Sequence, residues 1–343
     1  MNDNRNNIRI KVFGIGGGGS NTIDYIKENL SDNLMTYSLN TDDQALKLSK
    51  ADKKIRLGKV LTKGLGAGAI PEIGARAAEE SQDEIKKELE NTDILFIAAG
   101  MGGGTGTGAA PKIASYAKEM GILTFGVVTT PFDFEGKKRM EMALEGAKLL
   151  EQEADVCIMI SNQSLIKNHG DKFIEDAFSL SDSVLKTDIS AVIKAITTKS
   201  TYTKSFDLNA IKENFTNAGV AVLGIESSDE HETIMENLHA ALEKSIESDM
   251  LDISIHGAQK FIFILTLDEE NAPGDASDYP YKFMKNYLGY DISCDVAFDL
   301  KPDYGNKVEV TMLATKFKDQ ETSEKIFQNK QENNYSDIFF DGL

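Results

Sequence analysis

Gly100-Met-Gly-Gly-Gly-Thr-Gly-Thr-Gly108 follows the apolar run 94–99 and precedes the helix-like stretch 109–118. That order predicts a strand, a glycine turn and a helix start. Six glycines in nine residues exceed what a tight turn needs. Glycine lets the main chain come close to a ligand and adopt positive φ. The first amides of the following helix lack internal partners and carry partial positive charge, which suits phosphate. Thr105 and Thr107 add hydroxyl donors.

Working outward, the first half of the chain alternates strand and helix. Strands are predicted at 8–15, 35–39, 94–99, 123–129 and 156–161. Helices are predicted at 21–30, 41–49, 72–89, 109–118 and 135–153. Such alternation implies an α/β, Rossmann-like, mostly parallel sheet with helices on both faces. Ligands then sit at the carboxyl ends of the strands. From 172 to 196 runs a helical pattern with too many apolar positions for one face, as expected of a helix packed between two bodies. Beyond the polar stretch 197–204 come helices at 208–217 and 230–248 and strands at 221–225, 260–267, 292–300 and 307–315. Lys301-Pro-Asp-Tyr-Gly-Asn306 is expected to join the last two strands as a hairpin-like turn.

Composition narrows the function. At 343 residues two domains are the expectation. The net charge of −18 argues against nucleic-acid binding, which needs cationic surface, and against adhesion to anionic lipid. Self-association would need salt or divalent cations to offset repulsion. No apolar run approaches the ~18 residues of a membrane span, and 1–7 is too polar for a signal peptide. A cytoplasmic protein without direct membrane insertion is expected. Cys157 and Cys294 lie in strand-like runs without zinc spacing, and are read as buried reduced thiols. His169, His231, His239 and His256 are scattered and are read as surface residues, not a triad or metal cluster.

A rival signal lies in the first glycine run. Gly14-Ile-Gly-Gly-Gly-Gly19 satisfies G-x-G-x-x-G between a strand and a helix, with Asp42 near the spacing of a ribose-binding acid. A dinucleotide fold needs one glycine turn, whereas this chain has three at successive junctions: 14–19, 64–68 and 100–108. No proton-transferring His or Tyr constellation follows. The P-loop pattern G-x-x-x-x-G-K-[ST] is also absent.

Phosphates held by several glycine turns without the lysine are a different solution. Here the chain resembles the tubulin/FtsZ superfamily, and within it the bacterial FtsZ family, over about residues 8–317. Gly102-Gly-Gly-Thr-Gly-Thr-Gly108 matches the superfamily signature. In order around it stand Asn40-Thr-Asp-Asp-Gln-Ala-Leu46, Leu61-Thr-Lys-Gly-Leu-Gly-Ala-Gly68, Ala77-Ala-Glu-Glu-Ser81 and Thr130-Pro-Phe-Asp-Phe-Glu-Gly136 with Arg139.

The resemblance implies a GTP/GDP site with Mg²⁺. Gly16, Gly17, Gly18 and Asn21 would contact phosphates and begin the guanosine pocket, and Asn40 and Asp42 would border the nucleotide. Gly68 and Ala69 would approach the γ-phosphate. Gly102, Gly103, Gly104, Thr105, Gly106, Thr107 and Gly108 would hold the α- and β-phosphates. Glu135 and Arg139 would bind ribose, or form an i,i+4 salt bridge worth tenths of a kcal/mol. Phe178 would stack on guanine, or pack in the core. Asp182 would accept from guanine N1–H and the amino group, or lie on a solvated face. Family members carry Asn where Ile70 stands, which removes a polar group beside the γ-phosphate turn.

The resemblance also implies a domain plan and partners. A GTP-binding domain spans 1–171, a connecting helix 172–197, a smaller α+β activation domain 198–317 and an acidic flexible tail 318–343. Subunits would stack head to tail into filaments of the division ring. A loop after the connecting helix, in relatives roughly Asn-x-Asp-Phe-Ala-Asp-Val, completes the neighbour's site. Aligned back from 211–225, Ser205 replaces its Asn, Asp207 keeps the first acid and Ala210 replaces the second. Asp207 is thus a catalytic candidate or the N-cap of the next helix. One lost acid predicts slow hydrolysis rather than weak binding, and Asn209 or Glu213 could compensate. In the tail, Asp337-Ile-Phe-Phe-Asp-Gly-Leu343 partly resembles a peptide that docks on membrane tethers, without its usual Pro and terminal basic residues.

Overall fold

The computed structural model describes residues 8–29, 34–164, 185, 187, 189–193, 208–247 and 254–317. β4 (Ile94–Gly100) and β5 (Leu123–Thr130) are apolar runs buried almost end to end. Strands covered on both faces lose the polar alternation of a half-exposed sheet, and they form the middle of a parallel array. β1 (Ile10–Ile15) pairs in parallel with β4 on one side and with β2 (Met35–Asn40) on the other. β3 (Lys53–Arg56) closes that edge, and β6 (Val156–Ser161) follows β5.

The period of two along each strand divides the core. Leu95, Ile97 and Ala99 join Phe13, Ile15 and Leu39 on one face, under α3 (Pro71–Glu80), α4 (Gln82–Leu89), α5 (Thr105–Glu119) and α6 (Lys137–Glu153). Ile94, Phe96 and Ala98 face the other way. There they meet α1 (Gly16–Asn29) through Ile23 and Ile26, the helical residues Leu185, Ile189, Val192 and Ile193, and α7 (Leu208–Phe215) through Ile211 and Phe215.

β7 (Gly219–Ser228) carries the sheet into the second half. Gly219, Val220 and Ala221 pair in parallel with β6, and Val222–Ser228 pairs antiparallel with β10 (Val308–Phe317). β8 (Ala258–Asp268) and β9 (Ser293–Lys301) complete the described order β3-β2-β1-β4-β5-β6-β7-β10-β8-β9. α8 (Ile234–Glu247) and α9 (Tyr279–Leu288) pack on this part through Leu238, Leu242, Met284 and Leu288.

Four sequence expectations change. The connection at 301–306 is not a hairpin, because β8 lies between β9 and β10. The chain crosses the end of β8, where the Asp268 carboxylate accepts from the backbone N–H groups of Glu270, Asn271, Tyr304 and Gly305. The helix expected at 72–89 is two helices, α3 and α4, meeting at Ser81, whose hydroxyl accepts from Gly58 N at 3.0 Å. A Ser tied to another segment's backbone competes with helix continuation. β3 is a polar edge strand in which Ile55 alone is buried, and α1 and α5 begin inside their glycine runs. Cys157 is buried; Cys294 is partly covered, its thiol pushed up to about 12 by burial and then by Asp295. His231, His239 and His256 are exposed. No described helix is long and apolar enough to cross a membrane.

Candidate phosphate cradle

The strand order reverses between β1 and β4: the chain runs outward from β1 to β2 and β3, then returns beside β1. α1 leaves β1 toward one face and α5 leaves β4 toward the other. A crevice opens at such a switch point. Both glycine runs lie there, and the first turns of α1 and α5 touch: a Cβ on Gly16 would stand 3.0 Å from Gly106 N. Two helix N-termini thus bring their unpaired amides and partial positive charge to one place.

The glycines divide by what a side chain would meet. A Cβ would stand 2.2 Å from Ala98 O at Gly19, 2.4 Å from Gly100 O at Gly106 and 1.9 Å from Pro71 O at Gly108. At Gly104 it would stand 2.8 Å from Ala67 Cβ and Ile70 N, and at Gly18 3.3 Å from Gly100 N. These positions are glycine because backbone packs on backbone. At Gly17, Gly68 and Gly103 nothing among the described residues lies within 4 Å of the same point. One such residue comes from each of the three glycine turns, so each turn presents bare main chain to open space. That arrangement fits a triphosphate, whose oxygens need amide donors at close range.

The turn at 64–68 is held in place by the residues that link β2 to α2 (Asp43–Leu48). Gly66 N donates to Thr41 O, and Asp43 N donates to Gly64 O, each at 3.1 Å. Lys63, Gly64, Gly66, Gly68 and Ala69 all have φ between 53° and 83°. For Lys63 and Ala69 that left-handed backbone costs about 1–2 kcal/mol each. Asn40 is buried at the end of β2, and its Oδ1 accepts from Asp42 N at 3.1 Å. The Asp42 carboxylate caps α2, accepting from Gln44 N and Ala45 N. Asn21 lies exposed on α1.

Of the two signature hydroxyls, Thr105 Oγ1 lies 2.6 Å from Thr41 Oγ1. Thr107 is buried beneath the turn, accepting from Gly102 N at 2.8 Å. Glu135, its side chain 8% exposed, accepts from Phe132 N at 2.9 Å and pairs with Arg139 at 2.8 Å, so the i,i+4 bridge is formed. A Cβ on Gly102 would stand 2.8 Å from Arg139 Cγ, which puts this pair against the signature turn.

Sequence reasoning missed Thr41, the start of α3 at Pro71 and the half-exposed Phe134, whose ring stacks on Phe132 at 5.1 Å. Thr41 could have been found, since it sits inside a quoted motif. Ile70 is the N-cap of α3 and supplies no side-chain bond. Phe178, Asp182 and Asp207 lie outside the described residues. Ala210 lies in the first turn of α7.

The fold and cradle together define a doubly wound nucleotide-binding α/β protein with a second, mostly antiparallel part on the same sheet. Residues 9–170 match the family model described as Tubulin/FtsZ family, GTPase domain. An empty FtsZ dimer from M. jannaschii is 34% identical with a TM-score of 0.82, over 91% of this chain and 89% of that one. A point mutant of FtsZ from the same organism is 35% identical with a TM-score of 0.81, over 90% and 91%. CetZ2 from Haloferax volcanii, a GTPγS-bound protofilament, shares the fold at 16% identity and a TM-score of 0.79, over 94% and 98%. The chain belongs to the tubulin/FtsZ family.

Proposed function

We propose that this chain binds GTP and GDP at the cradle and polymerises head to tail into filaments of a bacterial division ring, in the cytoplasm at the division site. The observation that carries the reading is the set of open glycines Gly17, Gly68 and Gly103, one from each turn, around the joined starts of α1 and α5. The main chain of 16–18 and 102–108 would hold the α- and β-phosphates, and 68–69 the γ-phosphate. Glu135 and Arg139 would meet the ribose, while Phe178 and Asp182 would select guanine. Among the described residues no group of three His, Cys, Asp or Glu is placed to hold a metal. Mg²⁺ would then be bound chiefly by phosphate oxygens and water.

Hydrolysis, in this reading, is completed between subunits, with Asp207 polarising the attacking water at the neighbour's cradle. A heterologous contact of that kind generates open filaments. The M. jannaschii FtsZ dimer and the CetZ2 protofilament support self-association. The domain plan 1–171, 172–197, 198–317 and 318–343, and a membrane-tether partner for the tail, belong to the same proposal. Competition between GTP and ATP for the purified chain tests it. GTP should win by about a hundredfold, which is about 2.7 kcal/mol. Equal affinity would end the guanine assignment.

A second reading, a nucleotide-gated structural polymer with little turnover, is favoured by Ala210 where relatives carry an acid. Phosphate release per subunit, measured against protein concentration alongside sedimentation, separates the two. For the GTPase it climbs as polymer forms; for the structural polymer, sedimentation occurs without it. Ala210→Asp should raise turnover by about 10²-fold, and an unchanged rate would refute the loop alignment.

A further inference from the structure

α8 and α9 do not close against each other along their outer side. Between them runs an open groove of about 420 Å³, walled by His239 and Glu243 from α8 and by Tyr279, Lys282, Phe283 and Tyr287 from α9. Its lining is preorganised. His239 Nδ1 lies 2.9 Å from the Tyr279 hydroxyl, and the His239 ring stands edge-on to Phe283 at 5.4 Å. Tyr287 is 43% exposed. A rigid aromatic wall with polar tips is the surface type that anchors a short apolar segment.

The exit of the chain lies beside this groove. Phe317, the last residue of β10, is opposite Ala258, and its ring lies 3.8 Å from where a Cβ of Gly257 would stand. The adjacent His256 ring is 5.6 Å from Tyr287, the end wall of the groove. Residues 318–343 follow. Within them 328–337 holds Tyr335 as its single large apolar residue, and then comes the cluster Ile338-Phe339-Phe340, flanked by Asp337 and Asp341. A flexible chain of the length of 318–337 spans about 25 Å, longer than the ~15 Å of a ten-residue helix. Lys282 and Lys285 of α9 pair with Asp278 and Asp291, and Glu243 and Glu247 line the opposite wall, so the groove offers the segment apolar contact rather than charge.

We infer that residues 335–343 of this chain dock within the same molecule in the α8–α9 groove, with Ile338, Phe339 and Phe340 against Tyr279, Phe283 and Tyr287. This goes beyond the function proposed above and does not rest on it. Tethering holds the segment at millimolar effective concentration, so an intrinsic Kd of about 0.1–1 mM is enough to fill the groove. Any external partner of the tail must compete with it.

The chain contains no tryptophan, so Tyr287→Trp in the full-length protein provides a single emitter at the end wall. With the native tail its acrylamide quenching should be about two- to threefold weaker than in the same protein carrying Phe339→Glu and Phe340→Glu, at every protein concentration. A synthetic peptide of residues 331–343 should restore shielding to that tail variant. Equal quenching with both tails overturns the inference. Shielding that rises with protein concentration overturns it as well. If it persists in the tail variant, the occupant is the body of a second copy; if it is lost there, tails are exchanged between copies. Circular dichroism melting of each variant confirms that the emitter reports on a folded chain.

Discussion

The cradle and the β9–β10 crossover solve the same problem, a chain reversal at a strand end, by opposite means. At the ends of β1 and β4 main chain packs on main chain, and side chains are excluded by contacts as short as 1.9 Å at Gly108. At the end of β8 a single carboxylate, Asp268, gathers the backbone N–H groups of Glu270, Asn271, Tyr304 and Gly305. The first device leaves main chain at Gly17, Gly68 and Gly103 facing open space. The second uses every donor it collects. A reversal built of bare backbone is therefore suited to binding, and one built around a side chain to holding shape.

The largest test of that contrast is Gly108→Ala. Its Cβ would overlap Pro71 O, and overpacking of this kind costs about 1–3 kcal/mol or more. Urea denaturation should show a large loss of stability, and nucleotide binding should vanish with it. Gly103→Ala should do the reverse. Nothing described stands near its Cβ, so stability stays within about 1 kcal/mol of the parent. Affinity for a fluorescent GTP analogue should nonetheless fall at least about tenfold, or about 1.4 kcal/mol. If both variants lose stability equally, the division of the glycines is wrong.

Asp268→Ala probes the other device. Its melting temperature should drop while nucleotide affinity is kept, since the crossover lies in the second half of the sheet. Burial alone would raise this carboxyl, but the bonds from Gly305, Tyr304, Glu270 and Asn271 outweigh it and hold the pKa below the ordinary 3.8. The stabilisation is then complete above pH 3.8 and lost as pH falls through the lower folded value. The parent should lose this contribution on acidification below pH 3.8, and the variant should lack that step. The smallest effect belongs to Ile70→Asn. A side-chain cap on α3 should add about 1 kcal/mol, read by thermal melting, because Ile70 now supplies none.

The same contrast explains what the sequence makes legible. Backbone reversals demand glycine, so the three turns, and the strands β1 and β4 feeding two of them, can be read directly, down to the buried run of β4. The starts of α1 and α5 are misplaced because glycine is a poor helix former, and here helix packing overrides propensity. Lys53-Lys-Ile-Arg56 carries no strand pattern, since an edge strand offers only Ile55 to the core. Pro302-Asp-Tyr-Gly305 is a sound turn signal, but a turn does not say which strand lies beside it. The partner is set by the sheet, and the carboxylate that organises the crossing lies 36 residues from Tyr304. The roles of Thr107 and Asp42 as internal acceptors are equally invisible in one dimension, because their donors come from the local fold.

β7 changes neighbours along its own length, with three residues matched to β6 and the next seven to β10. A sheet transmits load through its ladders, and its weakest section is the one with the fewest rungs. The 156–158 to 219–221 seam offers three backbone pairs, against the seven that join β7 to β10. Among the described residues, a twist imposed on one half reaches the other through those three rungs and through the shared cluster behind them, where Phe215 and Ile211 meet Phe125, Ile262 and Leu313.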